Sequence, residues 1–181
     1  TPLRPEVIQQ HSQGDINVLS YSLYGKDPRY TEGAIENAQL VRVVYPGWIM
    51  KVFHDNTVPT TVFDSLTEHG VELVDASGSS IVNQMSWRFT PASNRSISRF
   101  CSRDIDARLS LRERAAVNEW ITSNKAFHVM RDHPSHTNYA MSGGMWFATN
   151  SAVPDMQVRL QLHQINKSYL QDMNFLNAVI W

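Results

Sequence analysis

Short apolar runs along this chain alternate with segments in which apolar residues recur every three to four positions. Residues 16–23 (Ile-Asn-Val-Leu-Ser-Tyr-Ser-Leu) are apolar and β-favouring, which predicts a first buried strand, and Tyr24-Gly25-Lys26-Asp27-Pro28 stops it with a loop. From Thr31 onward Ala34, Ile35, Ala38 and Val41 recur at helical spacing, and Pro46-Gly47 closes that helix. A second strand over 48–54 follows. Pro59 then opens a helix as a first-turn proline, with Val62, Phe63 and Leu66 facing inward and Gly70 just past its end. Residues 71–74 read as a short strand, and Ile81, Val82, Met85 and Phe89 share one helical face.

The next strand is built around Ile97 and Phe100 and ends abruptly in two carboxylates, Asp104 and Asp106, between Arg103 and Arg108. Ser110-Leu-Arg-Glu113 fits a capping box, in which the serine oxygen accepts from the third helical amide and the glutamate reaches back. It marks the start of a helix whose buried side is Ala116, Val117, Trp120 and Ile121. Residues 126–130 form another apolar run, and Gly143-Gly144-Met145-Trp146-Phe147 couples two glycines to an aromatic, strand-like segment. Closing helices are predicted over 153–163 and 168–180. The alternation as a whole predicts an α/β sandwich on a largely parallel sheet. The irregular stretch 131–142 interrupts it, and loops of that length in compact domains usually serve function.

With 181 residues the chain has the length of one domain and buries about 70% of its unfolded surface. Residues 1–15, polar and containing Pro2, Pro5 and Gly14, are expected to form an extension, and 16–181 a single domain. A net charge of −1 with scattered basic residues argues against a nucleic-acid partner. No stretch has the length and apolarity of a membrane span, and no signal-like pattern opens the sequence, so a soluble, cytoplasmic protein is the expectation. Cys101 is the single cysteine and falls in a buried run, where it reads as a small core residue.

The acidic turn is the first candidate for chemistry. Two carboxylates about 4 Å apart repel by roughly 4 kcal/mol at a surface-like dielectric, and a hard divalent cation removes that cost. Oxygen ligands with no thiolate beside them point to Mn2+ or Mg2+ rather than zinc. The bland alternative is an Asp-x-Asp pair in a solvated turn. Arg131-Asp132-His133-Pro134-Ser135-His136 packs ionisable groups into six residues. Its spacing is weak for zinc, and either hydrogen bonding to substrate hydroxyls or a local Arg131–Asp132 ion pair suits it better. The Gly143-Gly144 pair is either a turn or a place where a ligand approaches the backbone. Arg88 reads as an exposed helix charge or as a forked donor for phosphate or for an aspartate of the site. Asp172 opens the last helix, where a carboxylate is ordinarily a favourable dipole contact. The scattered His11, His54, His69, His128 and His163 read as structural or surface residues.

Taken together, Ser22-Leu-Tyr-Gly25, Tyr30 with Gly33-Ala-Ile-Glu-Asn-Ala38, Tyr45-Pro-Gly-Trp48, Trp87-Arg-Phe89, Arg103-Asp-Ile-Asp-Ala-Arg108, Arg112-Glu113, Trp120, Phe127-His-Val-Met-Arg-Asp-His133 and Gly143-Gly-Met-Trp146 resemble a group of glycosyltransferases of the GT-A type. The resemblance runs from about Asn17 to Trp181. It implies a nucleotide-diphospho-sugar transferase fold, a Rossmann-like three-layer α/β/α sandwich with a mostly parallel central sheet. It also implies a sugar-nucleotide donor, such as a UDP-sugar, and a glycan or other hydroxyl acceptor. Asp104 and Asp106 would hold manganese or magnesium against the donor diphosphate. Ser22, Leu23 and Tyr24 would meet the base and ribose, with Arg88, Arg103 and Arg108 as donor contacts and Gly143, Gly144 and Met145 lining the sugar and acceptor pocket.

Gln171-Asp-Met-Asn-Phe-Leu-Asn177 is similar to the Asp-Gln-Asp-x-Leu-Asn element of glycogenin-like transferases, with Asp172 at the first aspartate and Met173 and Asn174 departing from the pattern. The resemblance makes Asp172, with Asp132 second, the expected base or stabiliser of the sugar cation. A third metal ligand, a His, follows this helix in many such families. Here either the full protein continues past Trp181 or two aspartates, phosphates and water suffice. The rival expectations are a nucleotidyltransferase that makes the sugar nucleotide and a catalytically silent sugar- or nucleotide-binding module.

Overall fold

The structure, a computed structural model, describes residues 15–150, 152–163 and 168–181. Of the expected amino-terminal extension only Asp15 lies among them; the rest falls outside the described residues. Six strands, β1 (Asn17–Leu23), β2 (Ile49–His54), β3 (Glu72–Asp75), β4 (Arg99–Arg103), β5 (Phe127–Val129) and β6 (Met145–Thr149), form one sheet in the order β3-β2-β1-β4-β6-β5. The helices are α1 (Pro28–Val44), α2 (Thr60–Glu68), α3 (Leu111–Ser123), α4 (Met156–Leu162) and α5 (Gln171–Phe175). A 3-10 segment, Gln84–Ser93, precedes β4, and a π-type turn, Leu176–Ile180, follows α5.

Period-two alternation divides the strands between two cores. Leu19, Tyr21, Leu23, Cys101 and Phe147 face a cluster completed by Ala34, Ala38 and Val41 of α1, Val62 and Leu66 of α2, and Val117 and Trp120 of α3. Val18, Phe100, Trp146 and Ala148 face the opposite way, onto Trp87, Phe89 and Ala92 of the 3-10 segment, Met156 and Leu160 of α4, and Phe175 of α5. The arrangement is a three-layer α/β/α sandwich.

The sheet is mixed, which corrects the expectation of a mostly parallel one. β3, β2, β1 and β4 are mutually parallel, but β6 runs antiparallel to both β4 and β5, in the register Arg103↔Met145 and Val129↔Trp146. The reason lies in the 130–144 connection, where the one regular element is the 3-10 turn Pro134–Asn138. A parallel neighbour requires a crossover, whereas a chain that simply turns back lays its next strand antiparallel.

Three local expectations also shift. The first helix starts at Pro28, inside the stretch read as a loop: the Asp27 side chain accepts from the Arg29 amide at 2.9 Å and Pro28 takes the first position. Residues 84–93 are 3-10 rather than α, and they bury Ser86–Phe89, Pro91 and Ala92 on several sides rather than along one α-helical face, while Val82, ahead of them, is exposed. The Ser110 hydroxyl caps α3 by accepting from the Glu113 amide at 3.2 Å, but the Glu113 side chain does not close the box. It turns inward to Tyr45 and Arg103.

Candidate functional site

From β1 the chain winds outward through β2 to β3 and then returns to lay β4 on the other side of β1. Connections leave β1 and β4 in opposite directions, and such a reversal opens a crevice at the strands' carboxyl ends. A cleft of about 380 Å³ lies there. Ser22, Leu23 and Tyr24 at the end of β1 form one side, and Asp104, Ile105 and Asp106 beyond β4 form the other. Arg29 and Tyr30 from α1, Met85 and Arg88 from the 3-10 segment, and Tyr169 complete it. A larger hollow of about 800 Å³ at the β2–β3 edge is lined by Lys51, Asp75, Trp87 and Gln157, among others, and by none of the predicted site residues.

The acidic turn is clamped by α1. Buried Asn37 donates from Nδ2 to the carbonyls of Ile105 and Ala107, each at 3.0 Å, and its Oδ1 accepts from the Leu109 amide at 3.1 Å. One turn earlier in α1, a Cβ on Gly33 would stand 2.6 Å from the Ile105 carbonyl oxygen, so only glycine lets helix and turn approach this closely.

Both aspartates reach the cleft and both meet arginine. Asp106 pairs with Arg29, which is largely exposed. Asp104, its side chain 48% exposed, pairs with the buried Arg88, whose second terminal nitrogen donates to Asp172 Oδ2 at 3.0 Å. Arg88 Nη1 also donates to the Arg103 carbonyl, and the Arg88 amide donates to Ser22 Oγ, each at 3.1 Å. Partial burial pushes the Asp104 carboxyl up, but the charge and hydrogen bond of Arg88, with smaller contributions from Arg103 and His136, outweigh that and hold it below the usual range. Burial works against the charge on Arg88 too, and its two carboxylates more than restore it. The Tyr24 hydroxyl titrates above its ordinary value, chiefly through burial.

The remaining predicted residues are placed differently. Arg103 is buried and its two terminal nitrogens are committed, to Glu113 at 2.8 Å, the Gly144 carbonyl at 2.9 Å and the Met145 thioether. Tyr45 OH closes this network on Glu113 Oε1 at 2.9 Å. Gly143 and Gly144 lie beneath the carboxylates rather than along the cleft wall. A Cβ on Gly144 would run into the Asp104 carboxylate, and one on Gly143 into Asp172 and, at 2.6 Å, Arg88 Nη2. Asp172 is buried behind Arg88 and is not part of the cleft wall. Arg108 pairs with Glu36 and donates to the Asp106 carbonyl at 2.9 Å. Asp132 pairs with Arg112 at 3.1 Å and lies 3.3 Å from His136 Nδ1, whereas Arg131, its partner in one of the two alternatives, turns elsewhere. Arg131 donates to the Ala140 carbonyl and lies over the Trp181 ring.

Arg29, Tyr30, Met85 and Tyr169 were not among the predicted site residues. Their places in the cleft follow from tertiary approach, although the buried polar Asn37 and the mid-helix Gly33 are visible anomalies in an otherwise apolar helical face. Among the described residues no group of three or more His, Cys, Asp or Glu side chains is disposed to hold a metal ion. Asp104 and Asp106 are oxygen donors of the kind a hard cation takes, and the cleft beside them leaves room for phosphate oxygens and water to complete its shell. In that sense the residues fit such an ion.

No family model matches the chain, and no curated protein sequence matches it significantly. Among the described residues no helix is long and apolar enough to cross a membrane.

Proposed function

We propose that this chain is a glycosyltransferase of the GT-A type that moves a sugar from a nucleotide diphosphate donor, a UDP-sugar in the simplest case, to a glycan or other hydroxyl acceptor. The observation that supports it most is that Asp104 and Asp106, two residues apart on one clamped turn, open on the same cleft at the β1–β4 reversal. Mn2+ or Mg2+ held by Asp104 and Asp106 would supply charge neutralisation to the diphosphate as its bond to the anomeric carbon breaks.

The chain's own residues then divide the work. Arg29 lines the cleft with an exposed forked donor suited to phosphate oxygens, while the terminal nitrogens of Arg88 are turned to Asp104 and Asp172. Ser22 fixes the backbone at Arg88, and Tyr24, Tyr30 and Tyr169 add aromatic surface to the cleft lining. Asp172, the expected base or cation stabiliser, anchors Arg88 from behind the cleft wall. Gly143 and Gly144 admit Asp172 and Asp104 to these positions, and Arg103 holds the Gly144 carbonyl.

Purified protein with Mn2+ and a panel of UDP- and GDP-sugars tests the reading. Donor hydrolysis or transfer should fall about 100-fold or more in Asp104→Asn and in Asp106→Asn, the scale of losing one transition-state charge contact. Turnover that persists in chelator, or in both variants, contradicts it. A preference for nucleoside triphosphates with sugar phosphate would identify a nucleotidyltransferase instead.

A further inference from the structure

Arg88 joins two carboxylates of unequal setting. Asp172 is 4% exposed at its side chain and sits in the interior, whereas Asp104 faces the cleft. The guanidinium between them is itself buried, with Nη1 on Asp104 and Nη2 on Asp172, and its Nε has no hydrogen-bond partner among the described residues. Arg103 cannot take its place, because its fork is spent on Glu113, Gly144 and Met145.

Asp104 is also a carboxylate that, under the proposed function, grips a dication. A guanidinium and a dication on the same carboxylate compete for its oxygens and repel one another, strongly so where water is scarce. Arg29 stands in the same relation to Asp106 but is largely exposed, so solvent and salt screen it.

We infer that Arg88 is a built-in cation that occupies the Asp104–Asp172 pair, and that a divalent ion binds at Asp104 only against it. In the ion's absence Arg88 prevents the two carboxylates from repelling each other. When the ion binds, the Asp104 arm of the fork weakens while the Asp172 arm remains as anchor. Linkage makes the antagonism reciprocal: whatever strengthens Arg88 on Asp104 weakens the ion by the same factor. This inference rests on the proposed cation site.

Mn2+ alone, titrated without nucleotide into the full chain and followed by calorimetry and by the electron paramagnetic signal of free Mn2+, is the test. Arg88→Met should bind Mn2+ ~10-fold more tightly than wild type, within the usual range for coupled sites. Arg88→Lys, which reaches only one carboxylate, should fall between the two. Arg29→Gln should change the affinity less than Arg88→Met does, and Asp104→Asn should abolish binding in every background. Equal or weaker Mn2+ binding by Arg88→Met, with its circular dichroism intact, overturns the inference while leaving the cation site standing. If Arg88→Met does not fold, Arg88→Lys decides in the same way. Absence of Mn2+ binding from wild type and both Arg88 variants overturns this inference, and UDP binding that does not depend on Mn2+ removes the cation site as well.

Discussion

At position 144 a hydrogen in place of a side chain decides where Asp104 can sit. Any Cβ there would enter the space of its carboxylate, and Asp104 cannot yield without giving up Arg88. Gly144→Ala should therefore cost about 1–3 kcal/mol, the range for overpacking, and should lower Mn2+ affinity with it. Urea unfolding and Mn2+ titration check both. Asp104 also sets a pH dependence. Its folded pKa lies below the unfolded value of ~3.9, so its pairing contributes stability above that value and loses it as pH falls through the folded pKa. Glu113 has the opposite sign: burial raises its pKa despite Arg103 and Tyr45, so its contribution improves as pH falls through that raised value. Thermal melts between neutral and strongly acidic pH should show a shallower acid decline for Asp104→Asn than for wild type. An unchanged slope would mean that the Arg88 pair contributes nothing.

At the scale of elements, the site depends on how α1 and α3 grip the ends of β4. Asn37→Ala would leave the Ile105 and Ala107 carbonyls and the Leu109 amide without their partner, an expected loss of about 2–3 kcal/mol. Glu113→Ala strands the buried Arg103 charge and should cost about 3–5 kcal/mol, whereas Tyr45→Phe removes one hydrogen bond at about 1 kcal/mol. Denaturant midpoints rank the three. The same elements show what a sequence makes legible. The strands of β1, β2 and β4, the apolar face of α1 and the Ser110 cap are local patterns, and reading them needs only neighbouring residues. The second half of the capping box could not be read that way, because Glu113 finds its partners in Arg103 and in Tyr45, 68 positions away. The 3-10 winding of Gln84–Ser93 and the reversal of β6 escaped for a similar reason: one is settled by packing against Phe100 and Trp146, the other by a connection too irregular to cross the sheet.

At the scale of the whole molecule, the sheet order creates the site. The turn back from β3 to β4 leaves the carboxyl ends of β1 and β4 side by side, and the acidic pair, which was legible as a local motif, is delivered to that crevice. The rest of the cleft comes from remote segments: Arg29 at the start of α1, Arg88 from the 3-10 stretch and Tyr169 before α5. Gly143, Gly144 and Met145, which resemblance put along the pocket, and Arg103, which it made a donor contact, instead lie beneath the cleft and support it. The proposed function requires the crevice to bind a nucleotide diphosphate through a cation on Asp104 and Asp106. Calorimetric titration of UDP into wild type and into the Asp104→Asn/Asp106→Asn variant, each with Mn2+ and with chelator, measures it most directly. A UDP binding isotherm is expected for wild type in Mn2+ and in none of the other three titrations. Equal UDP binding in all four titrations, or none in any, would contradict it.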